Sequence, residues 1–274
     1  MHYGDRGPAA PAKGSQWDER IRRAAELRQR FAFAAEILGF YGKILEFQKR
    51  VYEGVSRQAS SAATATGVFL ERLDLGLAAG FLPELLSLVE EAGTPKLAQE
   101  AKDLSAMDEG QRCGILRSFL TDDEAVSHRF FARAVLQPYA EWLAKSFPAQ
   151  AKSSQELLCP VCGGRPQAAV LRPEGEGGKR FLLCCRCLAE WEFRRILCPV
   201  CGEEDHQRLP RYSAEDVEAL RVEACDSCHF YLKSIDLTVD GRAVPLVDEV
   251  AAVPLDLWAA EHGYRKPEPN LMGF

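Results

Sequence analysis

The sequence predicts a multidomain protein with an all-α N-terminal domain, followed by two small zinc-ribbon-like metal-binding domains. Three observations support this fold class. Apolar residues recur at steps of three or four through the first half, as on helices that bury one face. Four Cys-x-x-Cys pairs lie close together in the second half. A polar stretch at residues 148–154 separates the two halves, and 274 residues give room for two or three small domains.

The first half is rich in Ala and Leu and poor in Val, Ile and Thr, which favours five to seven helices. After a flexible tail at residues 1–17, the helical domain is expected over residues 18–150. One long amphipathic helix is predicted from Asp18 to about Ser60, with Asp18 as its N-cap. Its apolar stripe is Ile21, Ala24, Leu27, Phe31, Ala35, Leu38, Tyr41 and Leu45. Further helices are predicted over residues 81–91, 96–104, 113–120 and 122–147.

The second half has the short apolar runs and turn residues that are typical of strands. Strands are predicted over residues 179–183, 221–223 and 230–239. Asp240-Gly241 is a hairpin signal, which predicts a strand pair on either side of it. A closing helix is predicted over residues 253–262. The expected domains are 156–195 and 196–248 for the two metal-binding units, with a C-terminal helix and tail over 249–274.

Eight of the ten cysteines form the four pairs, and these pairs are the candidate metal ligands. Two intervening residues let one tight turn direct both thiolates at one ion, so that two pairs complete a tetrahedral site. The segment 158–163 repeats at 197–202, at an offset of 39 residues, and each copy is followed by a second pair. This duplication favours sequential pairing into two four-sulfur sites. The predicted ligands are Cys159, Cys162, Cys184 and Cys187 for one ion, and Cys198, Cys201, Cys225 and Cys228 for the other.

Several features of these sites stay open at the level of sequence. Interleaved pairing, first with third and second with fourth, is geometrically possible. Cys185 could replace Cys184 as a ligand, although its spacing from Cys187 is less usual. Four thiolates suit iron and zinc equally. A glycine after the second cysteine is expected to accept the left-handed backbone that such a turn needs. Four protein ligands leave no open position, which argues against a hydrolytic metal.

The charge distribution argues against a nucleic-acid partner. The chain has a net charge of −6, and residues 156–242 hold 12 Lys and Arg against 15 Asp and Glu, a net of −3. Phosphate binding needs a local basic stripe instead. No apolar run is long enough for a transmembrane helix, so membrane insertion is not expected, and the N-terminal residues lack a signal-peptide core. We therefore expect a cytoplasmic protein, in whose reducing surroundings paired cysteines hold metal.

The flanking residues resemble the FdhE family of formate dehydrogenase accessory proteins over nearly the whole chain. The most specific stretches are 158–166, 180–191, 195–202 and 225–233, and residues 255–264 are similar to the family's ending. The resemblance implies a helical domain followed by two rubredoxin-like metal-binding domains, with the eight paired cysteines as ligands. It implies a cytoplasmic protein that is needed for active formate dehydrogenase and acts on the molybdenum-containing catalytic subunit before export or assembly. No catalytic residues transfer, so an enzyme is not expected.

Two other functions remain as alternatives. The four-sulfur ligand sets would also suit a rubredoxin-like iron electron carrier, since the sequence does not show whether the sulfurs approach the surface. A zinc-ribbon nucleic-acid-binding protein is the other alternative, and the charge count disfavours it.

Overall fold

A computed structural model of the protein describes residues 15–58, 69–120, 128–147, 155–175, 177–214 and 217–274. In these residues, seven helices precede a six-stranded sheet and two helices follow it. The first seven helices are α1 (Gln16–Arg30), α2 (Ala35–Gln58), α3 (Leu75–Ala79), α4 (Leu82–Ala92), α5 (Pro95–Ser105), α6 (Glu109–Ser118) and α7 (Arg129–Ser146). The strands are β1 (Pro166–Glu174), β2 (Gly177–Cys184), β3 (Glu190–Glu192), β4 (Arg211–Ser213), β5 (Leu220–Ala224) and β6 (Tyr231–Asp236). The last two helices are α8 (Pro245–Ala251) and α9 (Val253–Glu261).

The prediction of a single long helix from residue 18 to residue 60 is wrong. Phe31 leaves the helical region, with φ −114° and ψ 95°, and a 3₁₀ turn over Ala32–Ala34 connects α1 to α2. No glycine or proline occurs at the break. Helices α1 and α2 pack against each other, so burial of their facing sides favours two helices over a single one. The N-cap of α1 is Ser15 and not, as predicted, Asp18. Asp18 is the third residue of the helix and forms a capping box with Ser15, in which the side chain of each accepts a hydrogen bond from the backbone N–H of the other.

The later helices follow the sequence more closely. Helices α4 and α5 match the predicted ranges to within two residues, and α6 begins four residues earlier than predicted. Helix α7 begins at Arg129, and residues 122–127 of its predicted range lie outside the described residues. Most of α7 is buried, including Phe131, Val135 and Tyr139, so it is the central helix of the helical domain.

The six strands form one sheet in the order β3-β2-β1-β6-β5-β4. Each metal-binding unit contributes three strands in the same internal order, third-second-first. The first strand of one unit pairs in parallel with the third strand of the other, with Ala168 opposite Lys233 and Val170 opposite Ile235. All other pairings are antiparallel. The strands that follow the two copies of the repeat therefore form one continuous sheet.

Both faces of this sheet are buried. Ala169, Leu182 and Leu232 belong to the core shared with the helical domain, whereas Val170, Val222 and Ile235 face a second core beneath α8 and α9. Strand β1 was not predicted from the sequence. Because both faces of the sheet are covered, β1 is buried at six consecutive positions and shows no alternation of buried and exposed residues.

The prediction of a hairpin at Asp240-Gly241 is wrong. The side chain of Asp240 accepts a hydrogen bond from the backbone N–H of Arg242 at 2.9 Å, and the chain then enters α8 in place of a strand. Pro245 occupies the first turn of α8, where its missing N–H leaves no unpaired donor. In a strand the same residue would interrupt the ladder. The closing helix at residues 253–262 is confirmed as α9.

None of the helices in the described ranges is long and apolar enough to cross a membrane.

Candidate metal centres

The four Cys-x-x-Cys loops share one backbone geometry. In each loop the N–H of the first cysteine donates to the carbonyl of the residue five positions later. The four N–O distances are 2.8 Å (Cys159 to Gly164), 3.0 Å (Cys184 to Ala189), 2.8 Å (Cys198 to Glu203) and 2.9 Å (Cys225 to Phe230). This repeated closure shows that the duplicated sequence folds into four equivalent knuckles.

The residue after the second cysteine of each knuckle has a left-handed backbone. The φ values are 72° at Gly163, 56° at Leu188, 77° at Gly202 and 59° at His229. The prediction that the two glycines occupy this conformation is confirmed. Leu188 and His229 adopt it without glycine's freedom, at a cost of about 1–2 kcal/mol each. The geometry of the knuckle therefore outweighs the preference of the residue.

The sulfur atoms lie in two groups. Site 1 comprises Cys159, Cys162, Cys184 and Cys187, and site 2 comprises Cys198, Cys201, Cys225 and Cys228; in each site all four sulfurs lie within 4.8 Å of one another. The sulfurs are therefore grouped sequentially, as expected from the repeat, and are not interleaved.

The sulfur separations fit a tetrahedral metal ion. Two sulfur pairs between knuckles are 3.4 and 3.6 Å apart in site 1, and two such pairs are 3.7 Å apart in site 2. A metal–sulfur bond of about 2.3 Å gives tetrahedral edges of about 3.8 Å. Either site could therefore hold one ion with little movement of the backbone, and four thiolates would leave no position for a substrate.

Cys185 lies outside both sulfur groups. Its carbonyl accepts a hydrogen bond from the Nε2 of Gln137 at 2.8 Å, which ties the second knuckle to α7. The adjacent sulfur of Cys184 and burial raise the pKa of the Cys185 thiol, which favours its neutral form. The expected choice of Cys184 over Cys185 agrees with this geometry. Sequence reasoning missed Gln137, because a helical glutamine carries no metal-ligand signal.

Backbone N–H groups support the sulfurs as well. The N–H groups of Gly164 and Arg186 donate to sulfurs of site 1, and that of Val200 donates to a sulfur of site 2, each at 3.4 Å. Such contacts stabilise the thiolate form that binds metal.

The two sites differ in their exposure to solvent. All four cysteines of site 1 are buried and belong to the core that the sheet shares with the helical domain. In site 2, Cys201 is exposed and Cys228 is half-buried, and none of the four cysteines belongs to a hydrophobic core. Site 1 is therefore built into the interior, whereas site 2 lies at the surface.

The fold and the two sites define a class of protein, in which a helical domain is joined to a duplicated four-cysteine ribbon. Residues 158–195 match the family model described as "FdhE, central domain", and residues 196–272 match "FdhE, C-terminal domain". The chain is 30% identical to the protein FdhE homolog of Aquifex aeolicus over 270 residues, which covers 93% of this chain and 94% of that one. It is 34% identical to the homolog from Pseudomonas aeruginosa over 209 residues, 70% of this chain and 66% of that one.

A solved structure agrees with these relatives. The crystal structure of the FdhE protein from Pseudomonas aeruginosa superposes with a TM-score of 0.73 and 25% identity, over 93% of this chain and 95% of that one. The chain belongs to the FdhE family, the formate dehydrogenase accessory proteins that its cysteine motifs resemble.

Proposed function

We propose that the chain is needed to produce active formate dehydrogenase, and that it binds the molybdenum-containing catalytic subunit in the cytoplasm before export or assembly. The observation that carries this proposal is the family membership over nearly the whole chain, with 93% of it aligned to one relative. The closed four-sulfur sites are consistent with a binding protein, since neither offers an open coordination position.

The eight paired cysteines are proposed to hold two ions of iron or zinc, one in each site. Each unit contributes only three strands and could not bury a large core alone, so metal binding would supply much of its folding free energy, on the order of 10 kcal/mol per site. In this role the ions hold the four knuckles in place. The surface that they shape would then be available to the dehydrogenase subunit.

The direct test is co-purification with a tagged formate dehydrogenase catalytic subunit in cells that lack the native copy of this protein. The wild-type chain should co-purify with the subunit and restore dehydrogenase activity. Cys187→Ser should lose both properties, because it removes a ligand from site 1. Cys113→Ser is the matched control, since Cys113 belongs to neither sulfur group and should behave as wild type. Failure of the wild-type chain to bind, together with normal dehydrogenase activity in the deletion strain, would refute the proposal.

The exposure of site 2 favours one second candidate, a rubredoxin-like electron carrier. An exposed Cys201 would place a bound iron near the surface, where electrons can transfer to a partner. Protein purified anaerobically from iron-replete cells should then contain iron and show a reversible one-electron couple that Cys201→Ser abolishes. Zinc in both sites, with no such couple, would exclude this role.

A further inference from the structure

The sheet has an open edge at β4, the outermost strand of the second metal-binding unit. In the described chain, β4 pairs with β5 and with no other strand. Strand β1, the first strand of the other unit, has neighbours on both sides, because it pairs with β2 and, on its other side, in parallel with β6. The side of β4 that corresponds to the β6-binding side of β1 is covered by no described strand. The repeat therefore contains, within its own fold, an example of an extended segment bound at this side of a first strand.

The backbone groups along this edge are available for hydrogen bonds. In an antiparallel pair, every second residue exchanges hydrogen bonds with the neighbouring strand. The N–H of Ala224 donates to the carbonyl of Pro210 at 3.0 Å, so the alternation assigns Tyr212 to β5 and directs the backbone groups of Arg211 and Ser213 away from it. Arg211 and Ser213 are exposed, and their backbone groups make no hydrogen bond outside the β4–β5 ladder in the described structure. Two N–H donors and two carbonyl acceptors therefore face outward.

On the face of the sheet that α8 and α9 cover, aromatic side chains lie beside this edge. The ring of Tyr212 lies 4.4 Å from that of Trp258 on α9 and 6.4 Å from that of Tyr264. All three side chains pack against the core beneath α8 and α9, yet they remain only half-buried. An added strand would cover more of this aromatic surface with each side chain that it points to this face, which favours apolar residues there.

On the opposite face, the charge beside the edge is positive. Arg211 and Arg195 are exposed, and the Nη2 of Arg211 donates to the carbonyl of Arg195 at 3.1 Å. Glu223 lies opposite Arg211 on β5, but its carboxylate forms an ion pair with Arg180, at 2.8 Å. An acidic side chain on an added strand would therefore meet two guanidinium groups, those of Arg211 and Arg195, that form no ion pair in the described part of the chain. Guanidinium groups bind carboxylates strongly, so this face favours acidic residues.

We propose that the free edge of β4 binds an extended segment of a protein partner, in which acidic side chains alternate with apolar ones. Successive side chains of a strand point to opposite faces, so the acidic residues would meet Arg211 and Arg195 while the apolar ones meet Tyr212 and Trp258. Backbone hydrogen bonds to the edge supply affinity, and the two faces supply selectivity. This inference does not depend on the proposed role in formate dehydrogenase production.

A second copy of this chain is disfavoured as the occupant. Its own outer strand, β3, carries Glu190 and Glu192, but these already pair with Arg172 at 2.7 Å and with Lys179 at 2.9 Å. Pairing of β3 with β4 between copies would also be a head-to-tail contact, which repeats without closing and leads to fibres.

The test is fluorescence anisotropy of the metal-loaded, full-length protein with labelled seven-residue peptides. One peptide alternates glutamate and valine, and a second alternates lysine and valine. Two further peptides carry N-methyl groups on the glutamates or on the valines of the first, so that each has lost the N–H donors of one edge. We expect the first peptide to bind at least tenfold more tightly than the lysine peptide and than one of the two methylated peptides. Equal binding of the first peptide and both methylated ones would overturn strand pairing, and equal binding of the lysine peptide would overturn the preference for acidic residues.

Substitutions at Ser213 separate the edge from the rest of the fold. Ser213→Pro removes an outward N–H and leaves the pairing with β5 intact, because proline is tolerated on an edge strand when its nitrogen faces solvent. It should weaken binding of the glutamate peptide about tenfold or more. Ser213→Thr is the matched control, which keeps the N–H and should bind as wild type. Equal affinities of these two variants would show that the β4 edge is not the binding site.

Substitutions of the arginines test the charged face. Arg211→Gln and Arg195→Gln should each weaken binding of the glutamate peptide severalfold, whereas Arg22→Gln on α1, at a side chain that is 62% exposed, should leave it unchanged. Equal effects of all three substitutions would overturn the role of this face. Near-ultraviolet circular dichroism and metal content report whether each variant is folded. Sedimentation velocity tests the other occupant: self-association that Ser213→Pro abolishes would assign the edge to a second copy and overturn the proposal.

Discussion

Lys233 is completely buried, and its replacement by methionine should destabilise the protein strongly. Its ammonium group lies 2.5 Å from Asp256 and 3.2 Å from Glu249, and it also contacts the carbonyl of Glu249. Lys266, nearly buried as well, contacts Glu249 and lies 3.5 Å from Asp256. Two positive and two negative charges therefore balance inside the fold. Lys233→Met would leave two buried carboxylates beside a single ammonium group, that of Lys266.

The magnitude follows from this balance. Removing one partner of a buried ion pair typically lowers the free energy of unfolding by about 3–5 kcal/mol. Burial alone would raise the pKa of Glu249, but the charges of Lys233 and Lys266 outweigh it and hold the pKa at about 2, against an ordinary 4.5. A depressed carboxylate pKa stabilises the fold above pH 4.5, and this stabilisation is lost as the pH falls toward 2. Both lysines contribute to this stabilisation, so Lys233→Met removes part of it.

The assay is urea unfolding of the metal-loaded protein, followed by near-ultraviolet circular dichroism at pH 7 and pH 4. Lys233→Met should lose about 3–5 kcal/mol at pH 7 and less at pH 4, where the unpaired carboxylate takes up a proton. The double variant Lys233→Met/Asp256→Asn restores the charge balance and should recover most of the loss. Lys179→Met, at a more exposed ion pair on β2, should lose less than about 1 kcal/mol. A double variant no more stable than the single one would refute the charge-balance reasoning.

Three further predictions concern the metal centres. Cys184→Ser should reduce the bound metal from two ions to one, whereas Cys185→Ser should retain both, because only the first sulfur belongs to site 1; metal analysis of the purified variants distinguishes the two. A chelator should remove the ion of site 2 well before that of site 1, since only site 2 has exposed and half-buried ligands; equal release rates would contradict the difference in burial. Gly202→Ala should lower the free energy of unfolding by about 1–2 kcal/mol, because alanine is strained at φ 77°, and thermal unfolding of the loaded protein measures this.

The local chemistry of this protein follows from short residue patterns. The Cys-x-x-Cys spacing, the 39-residue repeat and the glycines after two of the pairs all act within a few residues, so they predicted the knuckles and the sequential grouping of the sulfurs. Helices α4, α5 and α9 were predictable for the same reason, as their apolar spacing and end signals are local. The break at Phe31 was not predictable, because no glycine or proline occurs there.

The way in which these parts combine follows from the tertiary fold. The parallel pairing of β1 with β6 joins residues more than 60 positions apart and fuses the two units into one sheet. The same packing buries site 1 and leaves site 2 at the surface, although their cysteine motifs are nearly identical. It also encloses Lys233 among its partners. Contacts of this kind depend on distant segments meeting in space, which local residue patterns do not encode.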